Sequence, residues 1–181
     1  MLAGADSIDD LDLLRHGAMG RLFDGIRAPS TLGTFLRSFT YGHVQQLDKV
    51  SAAVLAGLSV RVPGLLAGAD AEGIAFVDVD DTVREVHGYA KQAAAYGYSK
   101  VFGLNAMLAV CSTPLTAPVI VASARRRGNT ASGKGSARML TRAAATARQA
   151  GVSGRLMGRA DSAFYRHDLV TAMIKAKMWF S

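Results

Sequence analysis

Apolar residues recur at helical spacing through the first third of the chain. Leu11, Leu14, Ala18 and Leu22 fall three to four residues apart, the period of one helix face. Just ahead of them, Ser7-Ile8-Asp9-Asp10 predicts a capping box, with acids in the first turn where the helix dipole favours negative charge. Gly25 to Pro29 break the pattern. Ser30 is the expected N-cap of a second helix with Leu32, Phe35, Leu36 and Phe39 on its apolar stripe. Val44, Leu47, Val50, Val54, Leu55 and Leu58 extend that face past Gly42, and Pro63-Gly64 ends it. Residues 1–65 therefore read as a helical region.

From Gly73 the pattern changes to strands. Ile74 to Thr82 is apolar on both faces, as expected of a central strand covered on two sides. Tyr98 to Cys111 and Pro118 to Ala122 read as two further strands. A basic loop of small residues follows, from Arg125 to Ser136. Ala137 to Ala150 is an Ala-rich helix ended by Gly151. Leu156 to Asp161 is a fourth strand, His167 to Ala176 a helix, and Met178-Trp179-Phe180 the start of a fifth strand. Three strands on short connections, then strands alternating with helices, predict an α/β mixed sheet: an antiparallel meander joined to a parallel half. That order is the order of the RNase H-like fold, here over residues 70–181, incomplete at the C-terminal end. It sets the first and fourth strands side by side, so that Asp80 and Asp161 meet.

Half of the 181 residues are hydrophobic, enough for a packed core. The net charge of +7 favours a polyanionic partner, with nucleic acid first. A single Cys, Cys111, excludes a disulfide framework and a Cys-based zinc site and points to a reducing compartment. The four His are dispersed without ligand spacing. No signal peptide is visible, and the longest apolar stretch, Val101 to Val121, is too broken to span a bilayer, so no membrane partner is expected.

The strand that ends Asp78-Val79-Asp80-Asp81-Thr82 carries the chemistry. Asp is a poor strand former, and three at the end of an apolar strand call for an explanation. Asp78 and Asp80 share one face and Asp81 points to the other. Two-metal phosphodiester chemistry needs carboxylates that bridge ions about 4 Å apart. Mg²⁺, or Mn²⁺ in its place, suits oxygen donors and exchanges its waters for phosphate oxygens. Asp78, Asp80 and Asp161 are the candidate ligands, although Asp161-Ser162 also fits a plain helix N-cap. Arg125, Arg126, Arg127 and Lys134 form the candidate DNA-binding loop, extended by Arg138, Arg142 and Arg148 on the next helix. Arg159, on the strand face of Asp161, suits either a phosphate or a carboxylate partner. Trp179 and Phe180, and Tyr89, Tyr96 and Tyr98, are expected to pack.

These residues resemble a bacterial insertion-sequence transposase of the DDE class, in the group numbered thirteen-eighty. The matching stretches run along nearly the whole chain. They are Gly4-Ala5-Asp6-Ser7 with Asp10-Leu11 and Leu14-Arg15; Ala28 to Gly33 with Leu36-Arg37; Val77 to Thr82 with Val86-His87-Gly88; Gly97-Tyr98 to Gly103; Arg127-Gly128-Asn129; and Arg159-Ala160-Asp161-Ser162 with Phe164. The group's D-x-T falls on Asp80-Asp81-Thr82 and its R-x-D-S-x-F on Asp161. The resemblance implies that Asp80 and Asp161 are catalytic and bind Mg²⁺, and that the partners are element-end and target DNA. It also implies a homo-oligomer for the full-length protein and a bacterial cytoplasmic, nucleoid-associated location. The third acid of the family, a Glu on a later helix, has no counterpart in this sequence, and an N-terminal DNA-binding region is missing. The expectation is thus a fragment inactive by itself.

Two other readings use the same residues. Asp78-Val79-Asp80-Asp81-Thr82 also fits the D-x-D-x-T motif of haloacid dehalogenase-like phosphatases. Asp78 would then be the nucleophile, with Val119 to Ser123, Lys134 and Asp161 completing the site. Alternatively the chain is a basic remnant that binds DNA without cutting it.

Overall fold

The computed structural model describes residues 7–88 and 91–181, so Gly4, Ala5, Asp6 and Tyr89 of the sequence reading lie outside the described residues. The chain divides into two compact units, Met1–Leu47 and Asp48–Ser181. In the first, a 3-10 turn, Ile8–Asp10, runs into α1 (Leu11–Arg15). The capping box forms as expected. The Ser7 hydroxyl accepts from the Asp9 amide at 3.1 Å, and the Asp10 carboxylate accepts from the Ser7 amide at 2.9 Å. α2 (Pro29–Arg37) begins earlier than a Ser30 cap implies. Ala28 is the N-cap and Pro29 takes the first helical position, where its missing N–H has no partner to lose.

α3 (Tyr41–Arg61) starts in the first unit and continues into the second. Its outward face is a surprise. Val44, Leu47, Val50, Val54 and Leu58 are exposed, while Asp48, Ala52 and Leu55 are half-buried, and Leu55 packs on the core. The inward side is tied by an ion pair from Arg142 to Asp48 at 2.5 Å. None of the helices among the described residues is long and apolar enough to cross a membrane.

The second unit holds the sheet: β1 (Ile74–Glu85), β2 (Ala95–Tyr96), β3 (Phe102–Thr113), β4 (Thr116–Arg127), β5 (Arg155–Ala160) and β6 (Trp179–Phe180). α4 (Ser136–Gln149) and α5 (His167–Lys175) connect its later strands. The order is β2-β3-β1-β5-β6, with β4 also on β3. β1–β3 and β3–β4 are antiparallel, and β1–β5 and β5–β6 are parallel. Apart from the two-residue β2, the strands run β4-β3-β1-β5-β6, the RNase H-like arrangement expected from the element order.

The core lies on one face of this sheet. Ala75, Val77 and Val79 of β1 and Met107, Ala109 and Cys111 of β3 are buried there with Met139, Leu140, Ala143 and Ala147 of α4. Each fully buried Val, Leu or Met contributes roughly 1.5–3 kcal/mol. Small residues bring helix and strand close: a Cβ on Gly158 of β5 would sit 2.9 Å from Met173 Cε of α5. The other face, with Ile74, Phe76, Asp78, Leu108 and Val110, is only half-buried. β1 is therefore covered on one side, not on both as its apolar run suggests. Trp179 and Phe180 are exposed rather than in the core, as are Tyr96 and Tyr98.

The Arg125-Arg126-Arg127 run is strand, not loop: β4 extends through it, paired with Leu104 to Ala106 of β3. Alternation then sends Arg126 to the buried face, where side-chain exposure is only 11% for both it and Asp81. Asp81 Oδ2 accepts from Arg126 Nη2 and Asn105 Nδ2, and Asn105 Oδ1 accepts from Arg126 Nε at 2.8 Å. Arg126 Nη1 donates to the carbonyls of Ala131, Ser132 and Lys134. Burial lowers the Arg126 pKa, and the Asp81 carboxylate opposes that shift.

Breaking this network is expected to be costly. Arg126→Gln leaves a carboxylate buried without its cation, so unfolding by urea should show a loss of about 3–5 kcal/mol. The buried thiol gives a second expectation. Burial, then the Asp78 charge, pushes Cys111 from 9.0 up to about 11. The folded chain holds the neutral thiol while the unfolded chain ionises above pH 9, so stability falls as pH rises from 9 towards 11. Between pH 9 and 10 the loss is about 1 kcal/mol, and Cys111→Ala should remove it from denaturation curves.

Candidate functional site

Parallel pairing of β1 with β5 sets Asp78 opposite Arg159 and Val79 opposite Ala160. One residue further, Asp80 ends the apolar part of β1 and Asp161 follows the last residue of β5. Both carboxylates, with Asp78, Val79, Arg159 and Ala160, line one open cavity of about 270 Å³. The sheet thus brings together the two acids that the sequence separates by eighty residues.

Each acid is oriented locally. Asp80 Oδ1 accepts from the Asp81 amide at 2.7 Å. Asp161 is the N-cap of a 3-10 turn, Ser162–Phe164, and its Oδ1 accepts from the Ala163 amide at 3.0 Å. Phe164, 1% exposed, anchors that turn in the core. Asp161 is both an N-cap and a cavity-lining acid. One oxygen of each carboxylate has no protein partner among the described residues.

Asp78 is placed differently. Arg159 Nε donates to its Oδ1 at 2.6 Å and Nη2 to its Oδ2 at 2.7 Å. Both oxygens are therefore taken by one guanidinium, whose pKa is raised chiefly by these hydrogen bonds. That guanidinium also lies 4.2 Å from the centre of the Phe76 ring. A nucleophilic role for Asp78 would require this pairing to loosen as one of its oxygens attacks.

The donor set suits a divalent cation with a preference for hard oxygen ligands. Such ions are often held by one or two carboxylates, with phosphate and water completing the shell. Asp80 and Asp161 supply two. Among the described residues no cluster of three or more His, Cys, Asp or Glu has the geometry of a complete metal cage.

The basic residues divide by strand parity. Arg125 and Arg127 are exposed, opposite Ala106 and Leu104, and so share the sheet face of Asp78 and Asp80. Arg126 is turned to the other face, with all three guanidinium nitrogens committed to protein acceptors. Lys134 is exposed, next to Gly133, on which a Cβ would lie 3.4 Å from the Ala163 carbonyl oxygen. It therefore sits beside the Asp161 turn. Arg138 is exposed on α4, which packs on the opposite face of the sheet from Asp80. Arg142 is paired with Asp48, and Arg148 donates to the Val152 and Gly154 carbonyls, so neither extends a basic patch.

Sequence reasoning missed Arg84 and Arg155. By parity, Arg84 shares the face of Asp80, and Arg155 the face of Arg159; Arg155 also lies 5.1 Å from the centre of the Trp179 ring. Counting alternate positions outward from Asp80 and Arg159 was the signal that could have found them.

No curated protein matches this sequence. Among solved structures, the chain is similar to the Mos1 transposase paired-end complex with left transposon end. The TM-score is 0.38 at 12% identity, over 96% of this chain and 57% of that one. It is similar to the Mos1 strand transfer complex with a TM-score of 0.37 at 12% identity, over 96% and 57%. The Mos1 mariner paired end complex with Mn follows, with a TM-score of 0.35 at 12% identity, over 94% and 55%. The chain thus spans little more than half the length of these solved relatives. A family model described as transposase DDE domain group 1 matches residues 1–181, and the chain belongs to that family of DDE transposases.

Proposed function

We propose that these residues are part of a bacterial insertion-sequence transposase of the thirteen-eighty group that cleaves and transfers DNA strands with Mg²⁺, or Mn²⁺ in its place. Residues 70–181 form its RNase H-like core and residues 1–65 the helical region before it. The observation that carries this reading is the meeting of Asp80 and Asp161 on one cavity through the β1–β5 pairing.

Asp80 and Asp161 would hold the cation, which supplies charge neutralisation at the phosphodiester and activation of the attacking oxygen. The chain's own residues do the rest. The Asp81 amide and the Ala163 amide fix one oxygen of each acid and leave the other without a protein partner among the described residues. Arg125, Arg127 and Arg84, on the same face, lie along the DNA backbone, and Lys134 approaches it from beside Asp161. Arg126 serves the reading only indirectly, by holding the loop that carries Lys134. Arg138 reaches DNA only where it wraps beyond the acid face.

A site of this kind takes a third carboxylate. No described residue brings a free one to the cavity, since Asp78 is occupied by Arg159. The phosphatase alternative is disfavoured by the same pairing.

The test uses residues 1–181 with labelled duplex DNA, Mg²⁺ and Mn²⁺. Binding is expected to be salt-sensitive, with a log–log slope of about −3 for three or four phosphate contacts, and no strand is cut. Metal-dependent cutting that is lost in Asp80→Asn would overturn the inactivity and keep the site. Release of phosphate from a small phosphomonoester, abolished in Asp78→Asn, would sink the transposase reading. Absence of any DNA binding at low salt would do the same.

A further inference from the structure

We propose that Arg159 orients a DNA phosphate at the Asp80–Asp161 cavity, and that Asp78 is its positioning residue rather than a metal ligand. Phe76 is the platform on which the guanidinium lies. This assignment rests on the transposase reading above and gives it a phosphate-holding residue.

Three observations carry it. The first is register. Asp78 and Arg159 are direct neighbours across β1 and β5, two residues before the Asp80 and Asp161 positions. Two residues along a strand span about 7 Å. A guanidinium there is within the reach of a phosphate whose other oxygens face the two acids. All four line the same cavity with Val79 and Ala160, and Arg159 is the only cation among these six.

The second is preorganisation. Arg159 is gripped in two directions: in plane by both oxygens of Asp78, and from below by the Phe76 ring at 4.2 Å. The fork uses Nε and one proton of Nη2. Both protons of Nη1 and the second of Nη2 have no partner among the described residues. A planar guanidinium fixed on one edge and open on the other is suited to a phosphate oxygen.

The third is the balance of charge and exposure. With Asp78, Asp80 and Asp161 all unpaired, the cavity would carry three negative charges and repel a phosphodiester. Pairing cancels one of them. Stability does not account for the pair, because Arg159 and Asp78 are 44% and 33% exposed, and exposed ion pairs contribute little to folding. An accessible pair stacked on an aromatic ring beside two acids is better explained by what it offers a ligand.

The experiment follows arginine side-chain NMR signals of residues 1–181 while a short DNA duplex is added. Arg159 signals are identified by their loss in Arg159→Lys. In the wild-type chain the Arg159 Nε–H is expected to be sharp, because Asp78 holds it, and to shift on DNA addition. In Asp78→Asn it should broaden beyond detection while the backbone amide pattern stays native. Arg159→Gln should lower the salt slope of DNA binding by about one, and Arg159→Lys should restore it. Mn²⁺ added alone, read by EPR, should lose its binding in Asp80→Asn and Asp161→Asn but keep it in Asp78→Asn. An Arg159 signal unmoved by DNA while other signals shift would overturn the assignment. So would loss of Mn²⁺ in Asp78→Asn to the extent seen in Asp80→Asn. If the wild-type chain binds no DNA, the transposase reading itself falls and this assignment falls with it.

Discussion

β1 must serve two environments, and its period of two decides what each receives. Val77, Val79 and Asp81 point toward α4, while Phe76, Asp78 and Asp80 point to the half-open face. The apolar members of the first set build the core. Asp81, in that set, is a carboxylate on the buried face and cannot stay unpaired. Arg126 and Asn105 answer it from β4 and β3, and Arg126 then reaches the carbonyls of the loop ahead of α4. One acid on the wrong side for chemistry thus ties the central strand, the strand edge and the loop beside Asp161 into one piece. Arg126 would leave an unpaired carboxylate behind if it turned outward, so its position is set by folding before any ligand is considered.

The face of the sheet and the meeting of the acids could be read from residue types alone. Asp78-Val79-Asp80-Asp81 on an apolar strand, and Asp161 at the end of another, needed only the right strand order to converge. The element order supplied it through short connections first and helical crossovers later. What could not be read was how far the strands extend. Arg125-Arg126-Arg127 looks like loop because three charges in a row have no amphipathic period. On a strand the same run sends two charges out and one in, and the inward one is stable only because Asp81 faces it. Gly128 ends that strand for a reason invisible in the sequence: a Cβ there would lie 2.0 Å from the Gly103 carbonyl oxygen. Strand context predicts Trp179 and Phe180 in the core, and packing is the expectation for Tyr98, yet all three are exposed, at a strand edge or in a turn. α3 shows the same weakness, since helical spacing identifies a stripe but not the side on which the core lies.

Asp161 shows that two readings of one residue need not compete. As an N-cap it satisfies the Ala163 amide and starts the turn that seats Phe164 in the core. A carboxylate has two oxygens, and the cap uses one. The cap bond restrains the side chain's rotation and leaves the other oxygen without a protein partner among the described residues, beside the cavity shared with Asp80. Asp80 is held in the same way by the Asp81 amide. Both acids are thus oriented by backbone donors, which lose little freedom when a ligand arrives. Both Asp78 oxygens accept from a side-chain cation instead of a backbone amide, and this separates it from the other two more sharply than its place in the motif does.

The openness of the acid face follows from the handedness of the connections. β4, β1, β5 and β6 run in the same direction, with β3 opposed. The crossover from β4 to β5 passes across β3 and β1, and the crossover from β5 to β6 continues in the same direction along the sheet. Two right-handed crossovers that progress the same way place their helices on the same face. α4 and α5 therefore share one side, burying Met107, Cys111 and Leu156 there. The other side, with Asp78, Asp80, Arg125, Arg127 and Arg159, receives neither of these two helices, and its residues stay half-buried or exposed. The carboxylates need no channel, because chain chirality had already assigned the helices to the opposite side of the sheet.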